Sequence, residues 1–362
     1  MYNVDLMRIL FAGGGSVGHL APSVSVWESI KRKRSDSSAL FVCSLKKNDR
    51  KFLKTQKVRK FSLFAPKGNS LFFIILFPIA IIQSILVLII FRPHVIFSKG
   101  GYVSVPICLI GWIFRIPIVL HESDRVMGKA NKFLMRFAKH LCIGTPQKEI
   151  ADDDVMTNLS IEITATGNPI REKILTGSSD GGRRVTAFSG KRPVLLVIGG
   201  SQGASTLNKI VWDSLDSLVD LCDIVHLTGQ GKMNTEKRHG RYFQSESSYE
   251  EIHNIYALAD VVLSRAGAGT IAELSSLGKA TILVPIPKLA SGHQEENAHF
   301  MQVAGAALVL DQDTLQQTLV PNVRMLVEDE EKRRNISERF RSFADPDAAD
   351  RIANILLVTA NK

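Results

Sequence analysis

Two stretches, Met7–Ile30 and Val194–Asn208, each run from an apolar strand through a glycine-rich turn into a helical pattern. They predict an α/β chain of two parallel-sheet domains of the nucleotide-binding type. In the first, RILFAGGGSVGHLAP, the strand is broken by Gly13, Gly14, Gly15 and Gly18 before His19; the second reads VLLVIGGSQGASTLN. Glycine lets a backbone approach a ligand closely, and a helix N-terminus offers unpaired N–H groups and a positive dipole end to an anion. Neither stretch is a strict dinucleotide fingerprint. After Phe41-Val42-Cys43 the chain continues Ser44, Leu45, Lys46, without the acidic residue a dehydrogenase places there. The pair therefore favours a phosphate or sugar-nucleotide site.

The elements follow in order. Apolar strand-like runs at Ile9–Ala12, Leu40–Cys43, Val95–Ser98, Ile118–Leu120, Leu141–Ile143 and Ile161–Thr166 alternate with helical patterns and predict one open parallel sheet. Leu175–Pro193, rich in Gly, Ser and Arg, reads as a linker or mobile loop. The alternation resumes at Val194–Ile198, Ile224–Leu227, Val261–Ser264, Thr281–Val284 and Ala307–Leu310, and Val323–Leu357 is charged and helical. The 362 residues suit two domains of roughly 150–200 residues. We expect domains at 1–166 and 167–345, with residues 346–362 forming a helix that crosses back to the first.

Charge is uneven. Residues 1–166 hold 23 Lys/Arg against 11 Asp/Glu, so the whole net charge of +10 originates there. Twelve of those basic residues lie between Lys31 and Lys60. Such density fits an anionic surface or a solvated helix face, and no aromatic interleaving points to nucleic acid. Cys43, Cys108, Cys142 and Cys222 show no metal-ligand spacing and read as buried thiols of a reducing compartment. The N-terminus lacks a signal-peptide profile. The largest anomaly is Leu71–Phe91, LFFIILFPIAIIQSILVLIIF, long enough for the roughly 20 residues of a membrane span. A spanning helix would separate the first strand from Val95–Ser98, which belong to one sheet. A buried core helix and a monotopic helix dipping into the lipid interface remain. The monotopic reading is preferred, with Pro78 bending or breaking the helix, Ile75 and Leu76 in the lipid, and Arg59, Lys60, Lys67, Arg92 and Arg115 on headgroups.

The strand ends carry GGGSVGH (13–19), SKGGYVSVP (98–106), HESD (121–124), TGNPIR (166–171), GGSQGA (199–204), TGQG (228–231), SRAGAGTIAE (264–273) and HQEEN (293–297). In this order, from about residue 7 to about 355, they resemble the MurG family of bacterial glycosyltransferases. The resemblance implies a GT-B fold, two Rossmann-like parallel-sheet domains facing a cleft. It implies inverting transfer of N-acetylglucosamine from UDP-N-acetylglucosamine to the muramyl 4-hydroxyl of undecaprenyl-linked lipid I, forming lipid II for peptidoglycan. It further implies a peripheral enzyme on the anionic cytoplasmic face of the bacterial membrane, with no cofactor and no nucleic-acid partner. Two alternatives stay open: a transferase for another lipid acceptor, and a non-catalytic sugar-nucleotide-binding membrane protein. Retention of His19 and Glu273 speaks against the second.

On the same resemblance His19 is the general base, which a side chain with a reference pKa near 6.5 suits; the alternative is a helix-start histidine that binds substrate or caps structure. Ser16, Val17, Gly18 and Asp124 are placed at the UDP-sugar, and Ser201, Gln202 and Gly203 at its diphosphate. Ala268, Gly269 and Thr270 form the turn before Glu273, which grips the ribose. Arg171 lies beside the domain junction, Gln294 and Asn297 at the donor sugar, and Tyr249 beside the uracil. Gly100, Gly101 and Tyr102 belong to the acceptor side. Asp152–Asp154 lies in a polar stretch unlike a metal-binding DxD, so no metal is expected. Three positions depart from the family pattern. Val17 replaces a glycine, although a β-branched residue tolerates positive φ poorly, and Ser123 and Asp124 replace Gln and Asn.

Overall fold

The computed structural model describes residues 6–65, 73–146, 161–200, 203–246, 250–287 and 292–361, with the backbone alone for 73–75. The chain divides into two compact units, residues 1–170 with 345–362, and residues 171–344.

In the first unit, strands β1 (Met7–Ala12), β2 (Ser37–Ser44), β3 (Lys60–Leu63), β4 (Val95–Ser98), β5 (Ile118–Glu122), β6 (His140–Ile143) and β7 (Glu162–Ala165) form one parallel sheet in the order 3-2-1-4-5-6-7. β1 and β4 are almost wholly apolar because helices cover both sheet faces. The helices are α1 (Val17–Lys33), α2 (Lys47–Thr55), α3 (Phe73–Phe91), α4 (Ser104–Ile113) and α5 (Lys129–Leu134). In the second unit, β8 (Val194–Ile198), β9 (Asp223–Leu227), β10 (Tyr242–Ser245), β11 (Val261–Ser264), β12 (Ala280–Leu283) and β13 (Leu308–Val309) run parallel in the order 10-9-8-11-12-13. Its helices are α6 (Ser179–Thr186), α7 (Ser205–Asp213), α8 (Leu215–Leu221), α9 (Ile252–Leu258), α10 (Ala268–Leu277), α11 (His293–Val303), α12 (Leu315–Glu328) and α13 (Glu330–Arg341). The last helix, α14 (Ala348–Ala360), belongs to the first unit and packs on α1. Asp350 receives Ser29 Oγ and pairs with Arg32 at 3.2 Å, so part of the basic stretch serves an internal contact.

Three expectations are corrected. Leu175–Pro193 is no open linker: α6 lies within it, capped by Ser178 Oγ accepting from the Gly181 N–H at 3.1 Å. Its glycines permit close packing, since a Cβ on Gly182 would come 2.6 Å from the Asn254 carbonyl. Val17 carries no strain, because it is the first residue of α1 and its φ is not positive. Pro78 does not break α3, which continues through it to Phe91.

α3 is buried along one face and exposed along the other. Ala80, Ser84, Val87, Leu88 and Phe91 face the core. Ile79, Ile82, Leu86, Ile89 and Ile90 line the opposite face in helical spacing, with Ile82 59% and Ile90 80% exposed. Trp112, Ile113 and Phe114 at the end of α4 and Phe133 in α5 are exposed as well. Among the described residues no helix is long and apolar enough to cross a membrane. Leu76 is only part-buried, and among the described side chains of α3 the first exposed ones are Pro78 and Ile79. Lys67 and the Ile75 side chain lie outside the described residues.

Candidate active site

In open α/β sheets ligands bind beyond the carboxyl ends of the strands, where the strand order reverses. In the first unit that point lies between β1 and β4. The turn after β1 (Gly13–Ser16) and the turn after β4 (Lys99–Val103) meet there at backbone level. Gly100 and Gly101 are left-handed, and a Cβ on Gly101 would lie 3.3 Å from the Gly14 carbonyl and 4.0 Å from His19 Cε1. Asp49 fixes the first turn. It is fully buried, and its Oδ2 accepts from the Gly15 N–H at 2.7 Å and from Ser44 Oγ at 2.6 Å. The Tyr102 ring packs beside Gly15. Ser16 is the N-cap of α1, and Val17, Gly18 and His19 form its first turn.

His19 is part-buried. Its Nδ1 lies 3.2 Å from the Lys99 carbonyl, which can only accept, so Nδ1 carries the proton and Nε2 the lone pair. Burial, then the Lys99 charge, lowers its pKa below the usual histidine value, against raising contributions from the Lys99 hydrogen bond, Asp124 and Glu122. The imidazole is thus held neutral and in the tautomer a proton acceptor at Nε2 needs. Glu122 organises the next turn: Oε1 accepts from the N–H groups of Ser123 and Asp124, and Oε2 from Gly128 N–H and Asn131 Nδ2.

The corresponding reversal in the second unit lies between β8 and β11. Gly203, left-handed at φ 68°, leads into α7; Ser201, Gln202 and Tyr249 lie outside the described residues. Ala268, Gly269 and Thr270 are the first turn of α10 rather than a separate turn before it, and a Cβ on Gly269 would meet nothing within 4 Å. Glu273, one turn on, accepts from the Tyr256 hydroxyl at 2.9 Å and pairs with Arg171 at 3.4 Å. Gln294 Oε1 accepts from the Ile286 N–H at 3.1 Å, and buried Asn297 donates to the Ala266 carbonyl at 3.1 Å. Both amides therefore also secure the loops around them.

The candidate residues consequently gather in two sets. Ser16–His19, Gly100–Tyr102 and Asp124 belong to the first unit, and Arg171, Gly203, Ala268–Thr270, Glu273, Gln294 and Asn297 to the second. Sequence reasoning gave no role to Lys99, His121 and Arg265, although its strand-end motifs contain them, and passed over Tyr256. Buried Arg265 donates to the carbonyls of Val284 and Pro285 and to Gln312, holding the segment after β12. Lys99 was open to discovery as a lone cation in the apolar VIFSKGG context; Tyr256 looked like any apolar helix position.

Two parallel-sheet domains with glycine turns at both strand reversals define a class, the proteins built of two Rossmann-like α/β domains. The particular family follows from the models that match the chain, the glycosyltransferase family 28 N-terminal domain over residues 9–143 and its C-terminal domain over 194–352; the chain belongs to glycosyltransferase family 28. It is 32% identical over 345 residues, 92% of this chain and 96% of the relative, to a Bacillus cereus protein. That relative is named UDP-N-acetylglucosamine--N-acetylmuramyl-(pentapeptide) pyrophosphoryl-undecaprenol N-acetylglucosamine transferase 2. In fold it is similar to Acinetobacter baumannii MurG, with TM-score 0.70, 21% identity and coverage of 97% of this chain and 99% of the other. It is equally similar, at TM-score 0.70 and 14% identity over 97% of this chain and 100% of the other, to a UDP-GlcNAc 2-epimerase from Neisseria meningitidis bound to UDP-GlcNAc. Fold alone does not separate transferase from epimerase; the family does.

Proposed function

We propose that this enzyme transfers N-acetylglucosamine from UDP-N-acetylglucosamine to the muramyl 4-hydroxyl of undecaprenyl-linked lipid I, giving lipid II. The observation that carries the reading is similarity along nearly the full chain to a transferase whose name states that donor and acceptor. The site chemistry agrees with it. His19 Nε2 takes the hydroxyl proton as the oxygen bonds to the anomeric carbon with inversion. The carbon–oxygen bond to the diphosphate breaks, and UDP leaves with the electron pair. The open N-terminal turn of α7 and Gly203 receive the diphosphate, and Glu273 takes the ribose hydroxyls. Asp124, beside His19 in charge, helps retain the imidazolium that proton transfer creates. The enzyme sits peripherally on the cytoplasmic membrane face, with the outward residues of α3 in the lipid interface and the exposed Arg59, Lys60, Arg92 and Arg115 at its headgroups.

The test is transfer from labelled UDP-N-acetylglucosamine to lipid I and to a panel of other lipid acceptors. Lipid I should be glycosylated, and His19→Ala should lower turnover by roughly 10²–10⁴-fold while UDP still binds. Preference for another lipid overturns the acceptor assignment. Conversion of the donor without any acceptor overturns the transferase reading, and near-normal turnover of His19→Ala removes the base.

A further inference from the structure

We propose that Lys99 is a positioning residue for His19: its carbonyl orients the imidazole, and its buried ammonium, anchored on His121 and Ser123, opposes a second positive charge there. Lys99 is only 4% exposed. Its Nζ donates to His121 Nδ1 at 2.6 Å and to Ser123 Oγ. His121 is itself fixed, because Nε2 lies 3.0 Å from the Gly167 carbonyl and must carry the proton, leaving Nδ1 to accept. The two residues thus form a neutral cradle for a cation. A buried ammonium is costly unless it is paired, yet no carboxylate among the described residues is within ion-pair distance of Lys99. Glu122 does not neutralise it at contact, since both its oxygens are occupied by the following turn.

The charge therefore acts as a field across the strand ends rather than within a closed pair. The groups that face it are His19 from α1, His121, Glu122 and Asp124 from β5 and the turn after it, and Cys142 from β6. Glu122 and Asp124 draw a proton towards His19, whereas Lys99 repels it. Burial has already pushed Lys99 down to about 8, so at neutral pH it still carries its charge. Ser123, one of the positions that departs from the family pattern, acquires a role: its hydroxyl oxygen accepts a hydrogen bond from the ammonium.

The inference rests on His19 being the base, and the experiment separates the two. In the full chain, the His19 imidazole, isotope-labelled and assigned with His19→Gln, is titrated by NMR in the wild type and in Lys99→Met, alongside the pH profile of kcat/KM. Lys99→Met should raise the His19 midpoint by about one pH unit and move the acid limb of the profile by the same amount. Should that variant fail to fold, Lys99→Gln, which keeps amide donors without the charge, is read in its place. Ser123→Ala keeps the charge and should leave the midpoint within about 0.3 units. An unmoved midpoint in the uncharged variant, or an equal shift in Ser123→Ala, overturns the proposal. A midpoint that moves while the kinetic limb does not follow upholds Lys99 and instead removes His19 as the base.

Discussion

At the scale of single residues, Glu273, proposed above to take the ribose hydroxyls, is held by two partners. A carboxylate has about four lone-pair sites, and Tyr256 and Arg171 occupy one on each oxygen, leaving one on each for the proposed ribose contact. Burial and the adjacent Glu273 push the Tyr256 phenol well above its usual range, so it remains a donor at any working pH. Glu273→Ala should weaken UDP-sugar binding by about 1–3 kcal/mol. Tyr256→Phe, which loosens the carboxylate without deleting it, should cost about 0.5–1.5 kcal/mol. Calorimetry with UDP-N-acetylglucosamine reads both; unchanged affinity in Glu273→Ala sinks the ribose assignment. Tyr256 was hidden in the sequence because a buried aromatic at helical spacing is the ordinary signature of a core. His19 and Glu273 were singled out through the family resemblance of the glycine motifs that precede them at strand ends.

At the scale of elements, α3 is apolar on both faces, and among the described residues only one face packs on the protein core. Hydrophobic contact and headgroup attraction should act together on the other, the latter worth about 1 kcal/mol for each basic residue near an anionic surface and screened by salt. Ile82→Ser with Ile90→Ser should abolish the vesicle binding that survives high salt and leave UDP affinity intact. Co-sedimentation with anionic vesicles at two salt concentrations measures this, and full retention of the double variant at high salt refutes the lipid-facing role. The run itself was plain in the sequence, but its orientation was not, since a helix without a polar face carries no mark of which side is inward. The strands divide in the same way. Runs buried on both faces, such as Leu195–Val197, were legible. β3 and β10, KFSL and YFQS, were not, because an edge strand needs no apolar run and both are largely part-exposed. The glycine-rich segment that looked like a linker became a packed helix for a reason local composition does not contain, the close approach of Asn254 and Leu258.

At the scale of the whole molecule, each unit buries histidines that fold in the neutral form, and this ties stability to pH. In the second unit His226 is fully buried, accepting from the Tyr242 hydroxyl at 2.9 Å and donating to Asn208 Oδ1 at 3.0 Å, and burial lowers its pKa to about 3. In the first unit His121 lies well below its usual value and His19 below it, both chiefly through burial. An unfolded histidine binds its proton near pH 6.5, so below that pH the unfolded chain holds more protons than the folded one and stability falls as the pH falls. For His226 the loss begins near pH 6.5, continues to about pH 3, and amounts to about 2 kcal/mol at pH 5. Asp223, its carboxyl pushed up by burial, opposes this at the acid end. Urea unfolding followed from about pH 7.5 to about pH 5, where the folded and unfolded chains come to differ in bound protons, should show the midpoint moving steadily down. His226→Gln should flatten the part of that slope belonging to the second unit, because an amide can donate to Asn208 and accept from Tyr242 without ever taking a proton. A variant with the wild-type slope would show that His226 does not govern the acid loss.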